Sequence, residues 1–110
     1  MMQTRIDPFQ DIRSRITGQI GALAEALPHC AFVEIVRGID DIRCLARDNG
    51  FAAVETLASR LESAVAAGGY RAAILTYLDA MSDAVSAPQG PLPPAMQEAW
   101  LASVAVRLDH

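Results

Sequence analysis

The sequence contains no lysine. All nine basic residues are arginine, and thirteen aspartates and glutamates outnumber them, for a formal net charge of −4. The arginines are scattered rather than gathered into a stripe, so a nucleic-acid partner is not expected. Arginine without lysine reads as the codon usage of a GC-rich genome rather than as selection for guanidinium chemistry. No apolar run approaches the ~18 residues that a membrane span requires. The opening residues, MMQTRIDPF, lack the apolar segment of a secretory signal. A cytoplasmic protein with no membrane association is the expectation. Motifs of familiar chemistry are also missing: there is no Gly-rich phosphate loop, no G-x-S-x-G and no H-E-x-x-H.

Cysteine is scarce too, with Cys30 and Cys44 the only two. Both are expected on one helix, where fourteen residues of rise separate them by ~21 Å. That is far beyond the ~7 Å limit for a disulfide. Neither has further ligands nearby for zinc. No metal, no cofactor and no catalytic residue is expected.

What the chain does have is helix-forming material. Hydrophobic residues make up 52% of it while aromatics make up only 5%, and Ala, Leu, Ile, Arg and Glu dominate. β-Branched residues occur singly at helical spacing instead of in alternating runs, which argues against strands. A length of 110 residues fits one domain able to bury a core unaided.

Five helices follow from the spacing. Asp7-Pro8 offers an N-cap and a first-turn proline, after an N-terminal arm at 1–7. It opens a helix at 8–27 whose apolar face is Phe9, Ile12, Ile16, Ile20, Leu23 and Leu27. Gly18 and Gly21 weaken this helix somewhat and leave room for a neighbouring helix to approach closely. A second helix at 29–49 carries Phe32, Ile35, Ile39, Ile42 and Ala46 and stops at Asn49-Gly50. A third at 51–67 carries Val54, Leu57, Ala58, Leu61 and Val65, and Gly68-Gly69 closes it. A fourth at 70–85 carries Ile74, Tyr77, Leu78, Met81 and Val85. Residues 86–93, SAPQGPLP, hold three prolines and are expected to be a linker or strap. The fifth helix, 94–108, carries Met96, Trp100, Leu101, Val104 and Leu108. Met81 and Met96 are expected in the core, and Trp100 as a partly buried anchor. The short connections among the first four helices predict one all-α domain, an antiparallel up-down-up-down four-helix bundle with an additional C-terminal helix. That last helix either caps the bundle or crosses to a second subunit.

The stretch 39–62 organises the rest, being a helix end, a Gly turn and a helix start. It reads Asp40, Asp41, Ile42, Arg43, Cys44, Leu45, Ala46, then Gly50, then Leu57, Ala58, Leu61 and Glu62. This resembles histidine phosphotransfer (HPt) domains, over about the middle quarter of the chain. Their pattern is a phospho-accepting His, an aliphatic residue at +2, Lys or Arg at +3, a small residue at +4, Ala or Ser at +6 and Gly at +10, followed by a helix reading L-A-x-x-L-E. The resemblance implies a four-helix bundle that docks a receiver domain on the second helix. It makes Arg43 the cation beside the acceptor and Cys44 the small residue that leaves room for the partner.

The acceptor position holds Asp40, and His29 and His110 stand where the motif has no use for them. Aspartyl phosphorylation of the receiver kind needs Mg²⁺ on further carboxylates and a Lys, and this chain has no Lys. Phosphoryl transfer is therefore not expected. An intrahelical Asp40–Arg43 ion pair, of about 0.2–0.5 kcal/mol, suffices to explain both residues. The sharper reading makes Val33, Val36, Arg37, Asp40, Arg43, Cys44 and Arg47 one partner-binding flank of the second helix. Asp40, Asp41 and Asp48 do not make a metal set, because Arg43 and Arg47 lie between them. Cys44 lacks a neighbouring His and is expected as a packing residue.

Two functions follow. One is a non-catalytic, HPt-like signalling module that binds a response-regulator receiver or a sensor kinase without phosphoryl transfer. The alternative is a structural, oligomerising helical protein with only convergent resemblance, forming a homodimer through the helix that contains Trp100. An enzyme has the least support, because the expected inward positions are nearly all aliphatic.

Overall fold

The computed structural model describes residues 9–68 and 71–108. These residues form five helices: α1 (Gln10–Ala26), α2 (Phe32–Asp48), α3 (Ala52–Ala66), α4 (Arg71–Ala84) and α5 (Pro94–Leu108). No strand forms among the described residues, and one isolated bridge joins Phe51 to Gly90. The N-terminal arm, the Asp7-Pro8 cap, Gly69, Tyr70 and His110 lie outside the described residues.

The first four helices bury most of the stripe that their spacing dictates. Ile16, Ile20 and Leu23 line the inner face of α1, and Ile35, Ile39, Ile42 and Ala46 that of α2. Val54, Leu57, Leu61 and Val65 do so on α3, and Ile74, Leu78 and Met81 on α4. These side chains form one core that no buried polar or charged residue among the described ones interrupts. α1 packs against α2 and α4, α3 against α2 and α4, and α5 against α3 and α4. No described helix is long and apolar enough to cross a membrane.

The α2–α3 reversal is fixed by backbone chemistry. Gly50 takes φ +77°, Gly50 N–H donates to Arg47 O (3.3 Å) and Phe51 N–H to Ala46 O (2.9 Å). That is the paired bonding of a Schellman motif. Asn49 Nδ2 covers a further carbonyl, that of Leu45, at 2.9 Å. Phe51, the residue that leaves this turn, is buried and meets three other parts of the chain. The Phe9 ring stands edge-on to it at 6.4 Å, the Arg13 guanidinium lies 5.0 Å from its centroid, and Gly90 pairs with its backbone. Strap 86–93 is tied to the same turn, as Gly90 N–H donates to Gly50 O (3.0 Å) and Gln89 Nε2 to Asn49 O (2.5 Å).

Several expectations need correcting. α2 begins at Phe32 rather than at 29, because the reversal after Pro28 uses the next three residues. His29 N–H closes a turn onto Ala26 O (2.8 Å), and Ala31 is extended (φ −72°, ψ 155°). Cys30 therefore lies outside α2, and the helix-rise separation of the two cysteines loses its basis; both are free and half-buried. Phe32, at the first position of α2, has no neighbouring element to cover it and is 62% exposed. Phe9 precedes α1 and is partly exposed instead of extending its stripe. Met96 and Leu108 are exposed, because α5 reaches the core fully only through Val104. Trp100 is half-buried against the core.

Gly18 and Gly21 do not mediate close packing, since a Cβ at either position would meet nothing within 4 Å. The close approach is at Gly38, where a Cβ would lie 3.0 Å from Leu23 Cδ1. Chemical denaturation checks these roles with opposite signs. Gly18→Ala and Gly21→Ala each stabilise the protein by about 0.5–1 kcal/mol, as Ala replaces Gly in an uncrowded helix. Gly50→Ala destabilises it by about 1–2 kcal/mol, because the left-handed backbone conformation crowds a Cβ.

Candidate functional site

The buried stripe of α2 fixes the rotation of the helix, and with it the direction of every other side chain at 100° per residue. Val36, Asp40, Arg43 and Cys44 are half-buried along one flank, and Val33, Arg37 and Arg47 are exposed. Apolar surface gathers at the N-terminal end of this flank. Val33 is 61% exposed there, and Phe32, assigned to the core by its spacing, adds its ring beside it.

The charged centre is Arg43. Its Nη2 lies 2.5 Å from Asp40 Oδ1, one turn back on α2. Its Nε lies 2.5 Å from Glu62 Oε1, on α3. Glu62 Oε1 is shielded from solvent and accepts no aligned hydrogen bond; its charge is met by ion pairing with the guanidinium. Arg43 is held protonated still further above its ordinary range, first by its hydrogen bond to Asp40 and then by Glu62. The trio therefore carries one net negative charge, and the cation at the motif's +3 position is already matched. The intrahelical pair of Asp40 and Arg43 is present, but half of what holds Arg43 comes from another helix.

Glu62 is the member that spacing alone did not assign. It stands at the end of the Leu57, Ala58, Leu61, Glu62 string, and its signal was its place one residue beyond the buried Leu61. A carboxylate there faces the rim between α3 and α2, where it meets a cation of the neighbouring helix. Arg43 is the half-buried cation across that rim.

The other singled-out residues do not converge on a reacting centre. Cys44 Sγ has only a weak 4.0 Å contact from Arg43 Nη2, and His29 is exposed in the α1–α2 reversal. Asp41 and Asp48 are exposed, with Asp48 Oδ1 taken by Arg47 Nε at 3.2 Å. Among the described residues no three His, Cys, Asp or Glu side chains stand close enough to hold a metal ion. The flank offers an apolar end, the exposed guanidinia of Arg37 and Arg47, and an anionic carboxylate at position 40. Such a surface can recognise a partner by shape and charge.

No family model, curated protein or solved structure matches the chain. The geometry of α2 and α3 is therefore the ground for any reading of function.

A double-mutant cycle measures the bridge. Arg43→Ala and Glu62→Gln, singly and together, are expected to yield a coupling of about 0.2–1 kcal/mol in urea denaturation, the range for partly exposed pairs. A coupling near zero would show that the two helices are held by apolar packing alone.

Proposed function

We propose that this chain is an HPt-like signalling module that binds a response-regulator receiver or a sensor kinase on α2 and transfers no phosphoryl group. The observation that carries the reading is the Asp40–Arg43–Glu62 trio. A carboxylate occupies the acceptor position of the motif, and the neighbouring cation is engaged by two carboxylates. Such a module competes for a partner or scaffolds it.

The proposed architecture is an up-down-up-down antiparallel bundle with α5 added. Two tethers support it. Arg13 Nη1, near the start of α1, donates to Val85 O beyond the end of α4. Arg71 Nη1, at the start of α4, donates to Leu27 O just past the end of α1. Opposite ends of α1 and α4 are thus joined, which is what antiparallel neighbours require. The side-by-side packing of α1 with α2, α2 with α3, and α3 with α4 closes the ring.

The test is incubation with phosphorylated receiver domains, following both complex formation and label. Binding without label on this chain is the expected result, and Val33→Asp with Arg37→Glu is expected to weaken it about tenfold or more. Transfer of label to the chain would sink the non-catalytic reading. Absence of binding to a broad panel of receivers and kinases would sink the docking reading.

A second reading, an oligomerising helical protein, is favoured by the apolar side chains that α5 leaves in solvent: Met96, Val106 and Leu108. Light scattering distinguishes it. On this reading the chain is a dimer that Met96→Glu with Val106→Glu converts to monomer, whereas a monomer unaffected by these changes leaves the docking module.

A further inference from the structure

The five helices are not held equally. α1 to α4 each bury three or more side chains, whereas α5 buries Val104 alone. Residues 93–99, at its start, are all exposed, and Trp100 and Leu101 are only partly covered. The rest of its hold is ionic. Arg107 Nη1 reaches Asp79 Oδ2 at 3.0 Å and Arg107 Nη2 reaches Asp83 Oδ2 at 2.9 Å. Those two carboxylates are one helical turn apart on α4, so without Arg107 they repel each other.

The connection to α5 has an equally uneven construction. Up to Gly90 the strap is bonded to the α2–α3 turn through Gln89 and Gly90. Beyond it, residues 91–94 are Pro91, Leu92, Pro93 and Pro94. Three of these four have no backbone N–H to donate, so little hydrogen bonding is lost if this segment swings. Leu92 is its one partly buried contact with the core. Regions with few buried contacts and exposed bonding open at lower free energy than the global transition.

We infer that α5 is a latch: with residues 91–94 as hinge and Arg107 as catch, it opens from α1–α4 as a unit while the remainder stays folded. Opening removes Val104 from the core and Arg107 from α4, and uncovers the α3–α4 surface beneath. The anchor at Gly50 and Gly90 stays closed and keeps the detached helix beside the bundle.

Trp100 is the only tryptophan and sits on the moving element, so the chain carries its own reporter. Amide hydrogen exchange read by mass spectrometry tests the latch. Amides of 98–107 are expected to exchange at least about tenfold faster than those of 39–46 and 57–65. Arg107→Gln is expected to speed exchange in α5 a further 2- to 10-fold, roughly what two exposed ion pairs supply, and to leave α2 and α3 unchanged. In urea, the Trp100 fluorescence transition then precedes the loss of helical circular dichroism. Equal protection of α5 and α2, acceleration of all helices together by Arg107→Gln, or coincident urea transitions would each overturn the latch. An α5 unprotected in the wild type and indifferent to Arg107→Gln would overturn the role of the catch.

Discussion

The reversal at 49–51 is the constraint on which the remaining structure depends. Gly50 permits a backbone conformation that returns α3 alongside α2, and the two bonds of the Schellman motif satisfy carbonyls that would otherwise end α2 unpaired. The turn then hands the chain to Phe51, whose ring is sealed by Phe9 and Arg13 from α1 and its preceding residue. Strap 86–93 hydrogen-bonds to Asn49 and Gly50 of this turn and pairs in a bridge with Phe51. One local conformation thus sets the α2–α3 pairing, the seat of α1 and the exit path towards α5. A change at Gly50 therefore acts on all three.

The stripes were legible because a 3.6-residue period leaves few choices. Ile35, Ile39, Ile42 and Ala46 recur every three or four positions, and no other rotation of α2 buries them together. The stop at Gly50 was legible for the same kind of reason, since local backbone sterics decide it. Phe32 and Met96 fit the period as well as any buried residue does, yet both are exposed. Periodicity states which face a residue is on; it does not state how far the neighbouring helix extends. Phe32 lies beyond the end of its cover, and Met96 lies where α5 stands off from α3. The start of α2 was misplaced because the length of a reversal depends on where two packed helices end, a tertiary quantity. Gly18 and Gly21 looked like contact points by residue type, while Gly38 is the one that Leu23 touches.

At the candidate site, legibility divided along the same line. Asp40 with Arg43 is an i,i+3 relation on one helix and could be read from the chain. Glu62 with Arg43 spans two helices and nineteen residues, and the place of Glu62 beside Leu61 indicates the rim it faces but not its partner. That long-range partner changes the chemistry of the site. An arginine beside a carboxylate on one helix remains partly available to an incoming anion. An arginine held by two carboxylates has its charge already offset, and drawing it away would leave Glu62 Oε1, which is shielded from solvent, without its ion pair.

Two kinds of ionic contact therefore have different consequences in one small chain. The Arg43 trio lies half-buried at a rim already closed by the Ile42 and Leu61 stripes, so breaking it leaves α2 and α3 packed. The Arg107 pairs are largely exposed, on a helix whose apolar hold is one fully buried valine with Trp100 and Leu101 partly covered. The first contact adds charge and orientation to an interface that stands without it; the second supplies an appreciable share of what holds α5 at all. Screening by salt weakens the exposed pairs most, so the difference in hydration is also a difference in response. The same electrostatic interaction acts as surface chemistry on α2 and as a hinge-closing contact on α5, and the amount of apolar burial beneath it decides which.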